Sequence, residues 1–201
     1  MSAKHVFKLS SDVARRPLPG KVLLAQNETE SLAHVLLKLF AYVLFHDERL
    51  QVEARLPTDH IPFEPDLILL DYELRPKLWI ECGECSLAKL HKLAVKAPEA
   101  AIWIVKRSPA EARKLVQQLE REDLRRGRYG IVGLDEAMFE EVAGLVAGRD
   151  ALHWFGGSLE AGQMQFEFNG LWFDAPLTGR RGGGGPPSPP GAARGPGRPP
   201  G

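Results

Sequence analysis

Asp66 and Glu81 are the residues of this chain best placed by type and spacing to do chemistry. They stand at the outer ends of two short apolar runs, Asp66 to Asp71 and Lys77 to Cys82, separated by a break at Arg75 and Pro76. Apolar runs of strand length on either side of such a break predict a β-hairpin. If its loop is Tyr72 to Arg75, Asp71 faces Pro76, and counting back along both strands sets Asp66 opposite Glu81. Directly opposed residues of an antiparallel pair have Cβ atoms about 5 Å apart, so two carboxylates would meet on one sheet face at the mouth of the following helix. Like charges that close push one pKa up unless a cation compensates, which makes the pair a candidate divalent-metal site. A register one or two residues different would instead leave both acids pointing into water.

Cys82 and Cys85 offer a second chemistry, a C-x-x-C between strand and helix, where a helix N-terminus could stabilise a thiolate. Strand alternation, however, puts Cys82 on the face opposite Glu81, and the upstream elements do not form a thioredoxin-like βαβ unit. Only His91 lies near enough in sequence to help bind zinc, too few ligands for a structural site. A structural role is the expectation for both cysteines. Lys106, Arg107, Arg113, Lys114, Arg121, Arg125, Arg126 and Arg128 form the one basic concentration outside the C-terminal tail. Acids interleaved at Glu111, Glu120, Glu122 and Asp123 make it read as a solvated helix with i,i+4 pairs, phosphate binding being the alternative. The aromatic residues near the C-terminus could stack bases, but their alternation is accounted for by core packing.

The elements that must hold these residues follow from periodicity. His5 to Leu9 and Val22 to Ala25 read as strands joined by a basic turn at Arg15 to Pro19. Leu32, Val35, Leu36, Leu39, Phe40 and Val43 mark one wide apolar helical face. Asn27 followed by Glu30 is a capping-box spacing that starts the helix at about Glu28. Leu50 to Ala54 alternates as a strand. After the hairpin, Ser86 caps a helix ending near Pro98, and Ala100 to Val105 has the unbroken apolar character of a strand buried on both faces. Ser108, Pro109 and Glu111 open a helix to about Glu122, Tyr129 to Val132 is another buried strand, and Asp135 caps a further helix. Leu152 to Phe155, Met164 to Phe168 and Leu171 to Phe173 complete the pattern as short strands, the last two joined at Asn169-Gly170, a type I′ signal. The expected fold class is α/β, a mixed central sheet flanked by helices with a small C-terminal β appendage.

Composition bounds the partners. The formal net charge of the 201 residues is zero, but Thr178 to Gly201 holds nine of the 20 Gly, seven of the 16 Pro, four Arg and no acid. Residues 1 to 177 therefore carry 22 basic against 26 acidic residues, net −4, so nucleic-acid binding would need a local basic patch. The expected organisation is one domain over residues 1–177 and a disordered Gly/Pro/Arg-rich tail over 178–201. No stretch has the length of a signal peptide or membrane span, so a cytoplasmic location is expected.

The order of helix with acid, Pro-Asp pair, strand ending in Glu and nearby lysine resembles the PD-(D/E)xK nuclease-like, restriction-endonuclease-like fold. More closely, ETESLAHVLLKLFAYVLFHDERLQ, PDL at Pro65 to Leu67, LWIECG at Leu78 to Gly83 and KLAVKAPEAAIWIV resemble the bacterial YaeQ family over about residues 3–175. The resemblance implies a Mg²⁺ (or Mn²⁺) ion held by Asp66 and Glu81 with the Cys82 carbonyl, and Glu30 as the first-helix acid. It implies action on nucleic-acid phosphodiesters, with a non-catalytic nucleic-acid- or protein-binding protein as the alternative. The chain departs from the motif at one place, where Gly83 stands for the lysine of ExK. Lys92 on the next helix, or else Lys89, is the expected substitute.

Overall fold

The computed structural model describes residues 3–14, 17–56, 60–122 and 127–180. In β1 (Ala3–Ser11) Phe7 and Leu9 are buried, while Lys4, Val6 and Lys8 are exposed, the alternation of a strand with one wet face. It pairs antiparallel with β2 (Lys21–Gln26). The helix α1 (Leu32–Leu44) follows, and its start corrects the expectation of Glu28. Its N-cap is Ser31, whose hydroxyl accepts from the His34 N–H. Asn27 N–H does donate to the Glu30 carboxylate at 2.9 Å, but that bond closes a turn lying just before the helix. Every residue from Val35 to Leu44 is buried, because α1 packs against both sheets of the molecule.

The first of these sheets contains β3 (Gln51–Val52), β4 (Leu67–Leu70), β5 (Pro76–Cys82), β6 (Ala101–Lys106), β7 (Tyr129–Gly133) and β11 (Thr178–Arg180) in the order β11-β7-β6-β5-β4-β3. Its centre is parallel, β5 beside β6 beside β7, and antiparallel strands flank it. The helices α2 (Leu87–Lys96) and α3 (Pro109–Arg121) cover one face and α1 the other. This divides the apolar run of β6 between two cores: Ile102 and Ile104 pack with α2 and α3, Trp103 and Val105 with α1. Gly130 lies so close beneath Trp103 that a Cβ there would come within 2.4 Å of the indole.

The second sheet corrects the expected small appendage. The helix α4 (Glu136–Leu145) is followed by β8 (Asp150–Ser158), β9 (Gln163–Phe168) and β10 (Leu171–Pro176), and these join the N-terminal hairpin in the order β10-β9-β8-β1-β2. The junction is parallel, Phe7 opposite Asp150 and Leu9 opposite Leu152. The two halves of this five-stranded sheet come from opposite ends of the sequence, and local alternation carries no information about such a pairing. Asn169 and Gly170 both have positive φ, as the I′ turn requires. Smaller corrections concern β3, confined to two residues because the chain turns at Glu53 (φ 49°), and the tail, whose first three residues form β11 against β7. The rest of the tail, Arg15 and Arg16 of the basic turn, and Arg125 and Arg126 of the basic stretch lie outside the described residues. Within them, no helix is long and apolar enough to cross a membrane.

Candidate active site

The hairpin carries Asp66 to the position beside Glu81, although the turn differs from the simple count. Asp71 N–H bonds the Arg75 carbonyl rather than facing Pro76, and Leu70 faces Pro76. An irregularity between Leu69 and Leu70 then shifts the register, so that Leu69 faces Leu78 and Leu67 faces Ile80. Asp66 and Glu81 are the next residues outward. Their carboxylates nevertheless go different ways, and this is where the simple pairing fails.

Asp66 turns toward α1. One of its oxygens accepts the Cys82 N–H at 2.7 Å and the other lies 2.8 Å from His34 Nε2. The same His34 nitrogen is 3.3 Å from Glu30 Oε1. Donor atoms of Glu30, His34 and Asp66 all fall within 4.8 Å of one another, the grouping among the described residues that could hold a metal ion. Behind it sits Lys38, fully buried, whose ammonium donates to the Ala25 carbonyl at 3.0 Å, to both Glu30 oxygens at 3.2 and 3.3 Å, and to Glu53. Glu53 in turn donates its N–H to the Asp66 carbonyl. Burial pulls the Lys38 ammonium down, but the Glu53 and Glu30 carboxylates outweigh it and leave its pKa raised. The hydrogen bond to Asp66 likewise raises His34 above its ordinary value, against the opposing effect of burial.

Glu81 turns toward α2. Its oxygens accept from Trp79 Nε1 and Lys89 Nζ, each at 2.7 Å. Burial pushes the Glu81 carboxyl up, Lys89 and Trp79 draw it back, and the nearby charge of Asp66 adds a smaller upward push. The lysine that reaches Glu81 is therefore Lys89, in the first turn of α2, whereas Lys92, one turn further along, is exposed. Lys106, at the end of β6, is also buried here and donates to the Gly83 carbonyl at 2.6 Å. Gly83 itself has φ +72°, a left-handed conformation that a lysine would adopt only with strain, so the backbone here favours the glycine over the motif lysine.

From the sequence-based set the structure thus groups Glu30 with Asp66, leaves Glu81 outside that group and facing Lys89 rather than Lys92, and adds His34, Lys38, Glu53 and Lys106. A signal for two of these was present. Glu30, His34 and Lys38 are spaced i, i+4, i+8, one polar stripe along an otherwise apolar helix. Glu53 and Lys106 carried no such signal. The cysteines separate: Cys82 is buried in the core under α1, and Cys85 packs against the core under α2. Burial raises the Cys82 thiol well above its ordinary value and pushes Cys85 up to about 12, the reverse of a reactive pair.

Comparison with known proteins agrees with this architecture. A protein-family model described as YaeQ protein matches residues 11–154. The protein called Uncharacterized protein YaeQ in Escherichia coli (strain K12) is 30% identical over 102 residues, covering 49% of this chain and 55% of that protein, and the same figures hold for its counterpart in Shigella flexneri. The match spans about half the length of these relatives. The crystal structure of YaeQ protein from Xanthomonas axonopodis pv. citri superposes with a TM-score of 0.66 at 20% identity, over 90% of this chain and 97% of that one. That of YaeQ protein from Pseudomonas syringae gives 0.66 at 16% identity, over 89% and 94%. The two structures share the fold, and the family match over residues 11–154 makes the chain a member of the YaeQ family.

Proposed function

We propose that this chain is a divalent-metal-dependent, nuclease-like phosphodiester hydrolase built on a restriction-endonuclease-like core. The observation that carries the reading is the grouping of Glu30, His34 and Asp66, with Glu81 on the neighbouring strand bonded to Lys89. The donor set fits a divalent cation. Glu30 and Asp66 supply carboxylate oxygens, and His34, within the same 4.8 Å, supplies a nitrogen that suits Mn²⁺ at least as well as Mg²⁺. Such an ion, when bound, polarises a phosphate and lowers the pKa of attacking water. The protein's own contributions are separate from it. Lys89 offers an ammonium to the charge that develops on phosphate, taking the place of the lysine absent at Gly83. Glu81, whose carboxyl burial raises above its ordinary value, holds the Lys89 ammonium in place.

A second reading, a non-catalytic binding protein on the same fold, is favoured by one specific observation: both oxygens of Asp66 and both of Glu81 are already engaged by protein groups. Calorimetric titration with Mg²⁺ and Mn²⁺, alongside cleavage of labelled single- and double-stranded DNA and RNA, separates the two. Hydrolysis requires that Asp66→Asn lose metal binding, that Lys89→Ala keep it but lose cleavage, and that Lys92→Ala retain both. Metal binding without cleavage of any substrate leaves the second reading, and no metal binding by the unaltered chain ends the first.

A further inference from the structure

We propose that the outer face of the five-stranded sheet is a binding platform for single-stranded nucleic acid. The inference goes beyond the hydrolase reading and stands or falls separately from it, because the platform lies on a different sheet from the carboxylates. Most C-terminal aromatics do pack inward, as their alternation requires: Trp154, Phe166, Phe168 and Phe173 are buried. Trp172 and Phe155 do not share their face. Trp172 is 51% exposed, the ring of Phe155 lies 4.7 Å from it, and His153 meets Phe155 edge-on at 4.4 Å. The imidazole is fixed in place, since its nitrogens are bonded to Ser10 and Asp12. A row of three aromatic rings, with Phe155 touching both His153 and Trp172, offers π-surface to unstacked bases, and base stacking is tolerant of sequence.

The other half of the same face supplies the charge. Lys4 and Lys8 on β1 and Lys21 on β2 point outward, Lys8 directly opposite Lys21, and neither strand carries an acid. Between the lysines, Val6 and Leu23 face each other and are 40% and 53% exposed. Lys8 is also in register with Ala151 of β8, two residues from His153, so the basic and aromatic halves are continuous. The carboxylates of the aromatic half are bonded on their own side, Asp12 to His153 and Asp174 to the amides of Gln163 and Gln165. Glu167, in register between His153 and Trp172, sets the polarity of binding. It repels phosphate there, so bases lie over the rings and the backbone runs over the lysines. The net −4 of residues 1 to 177 demanded a local basic patch, and this face provides one.

The test uses the full chain in metal-free buffer, where cleavage cannot interfere, with fluorescein-labelled oligothymidine and oligouridine of twelve nucleotides. Among the four tryptophans only Trp172 is exposed, so binding should quench intrinsic fluorescence in the unaltered protein and not in Trp172→Phe. Trp172→Ala and Phe155→Ala should each weaken binding by about tenfold, with Trp172→Phe retaining most of it. Replacing Lys4, Lys8 and Lys21 together by Gln should reduce the slope of log affinity against log salt by about 2. Absence of binding by the unaltered chain overturns the proposal, as does binding that Trp172→Ala leaves unchanged. So does binding lost in Asp66→Asn or Glu81→Gln, which would place the strand at the carboxylates. Quenching that follows protein concentration without oligonucleotide, with a dimer in sedimentation, would assign the face to a second copy of the chain instead.

Discussion

Lys38→Met isolates the polar stripe of α1 from the rest of the helix. The methionine keeps most of the buried apolar stem and removes only the ammonium, which is fully buried and donates to Ala25, Glu30 and Glu53. The side chains of Glu30 and Glu53 are themselves only 17% and 30% exposed, so water replaces little of what the ammonium gave them. Removing one partner of such a network costs about 3–5 kcal/mol, because the remaining carboxylates are left desolvated and uncompensated. For a domain of this size that corresponds to a fall in Tm of roughly 10 °C. Urea denaturation at pH 7 followed by circular dichroism measures it directly. The pH dependence supplies a second check. Since the carboxylates raise the Lys38 pKa, its contribution is whole below 10.5 and lost as pH rises through the raised value. The gap between the two proteins should therefore narrow only in strong alkali. A loss under about 1 kcal/mol at pH 7 would refute the reasoning, since it would mean that the pair behaves as a solvated surface contact.

In the metal-free protein, the His34 imidazole resonance should titrate above 6.5, and Asp66→Asn should bring the midpoint down; the stability His34 contributes is present below 6.5 and lost as pH rises through the folded midpoint. Cys85, at about 12, should be only about one part in ten thousand thiolate at pH 8, so alkylation should be slow and accelerate about tenfold per pH unit through pH 10. A rate plateau near neutrality would restore the redox reading of the C-x-x-C. Gly130→Ala drives a methyl into the Trp103 indole and should lower stability by about 1–3 kcal/mol in thermal or urea melts, whereas Gly144→Ala, in α4 with open space before the added Cβ, should raise it by about 0.5–1 kcal/mol.

Local pattern specified most of the elements and set Asp66 beside Glu81. Alternation and helical period are local properties, so β1, α1, the buried strand β6, the Ser108 and Asp135 caps and the Asn169-Gly170 turn were all legible. Asp66 could be set beside Glu81 because a hairpin register depends on a few neighbouring residues, and a β-bulge absorbed the difference in the turn. Helix capping was legible only in part, since Ser31 and Asn27 compete within four residues and the packing of α1 between two sheets decided between them. What lay beyond reach was long-range. The parallel pairing of β1 with β8 joins segments about 140 residues apart, and no local preference records it. For the same reason the partners of the two acids were hidden. Where a carboxylate points at the end of a strand depends on which helix offers a donor, and here α1 offers His34 to Asp66 while α2 offers Lys89 to Glu81. Tertiary packing thus divided one inferred carboxylate pair into two differently compensated acids, and it left Trp172 outward while Phe173 beside it entered the core.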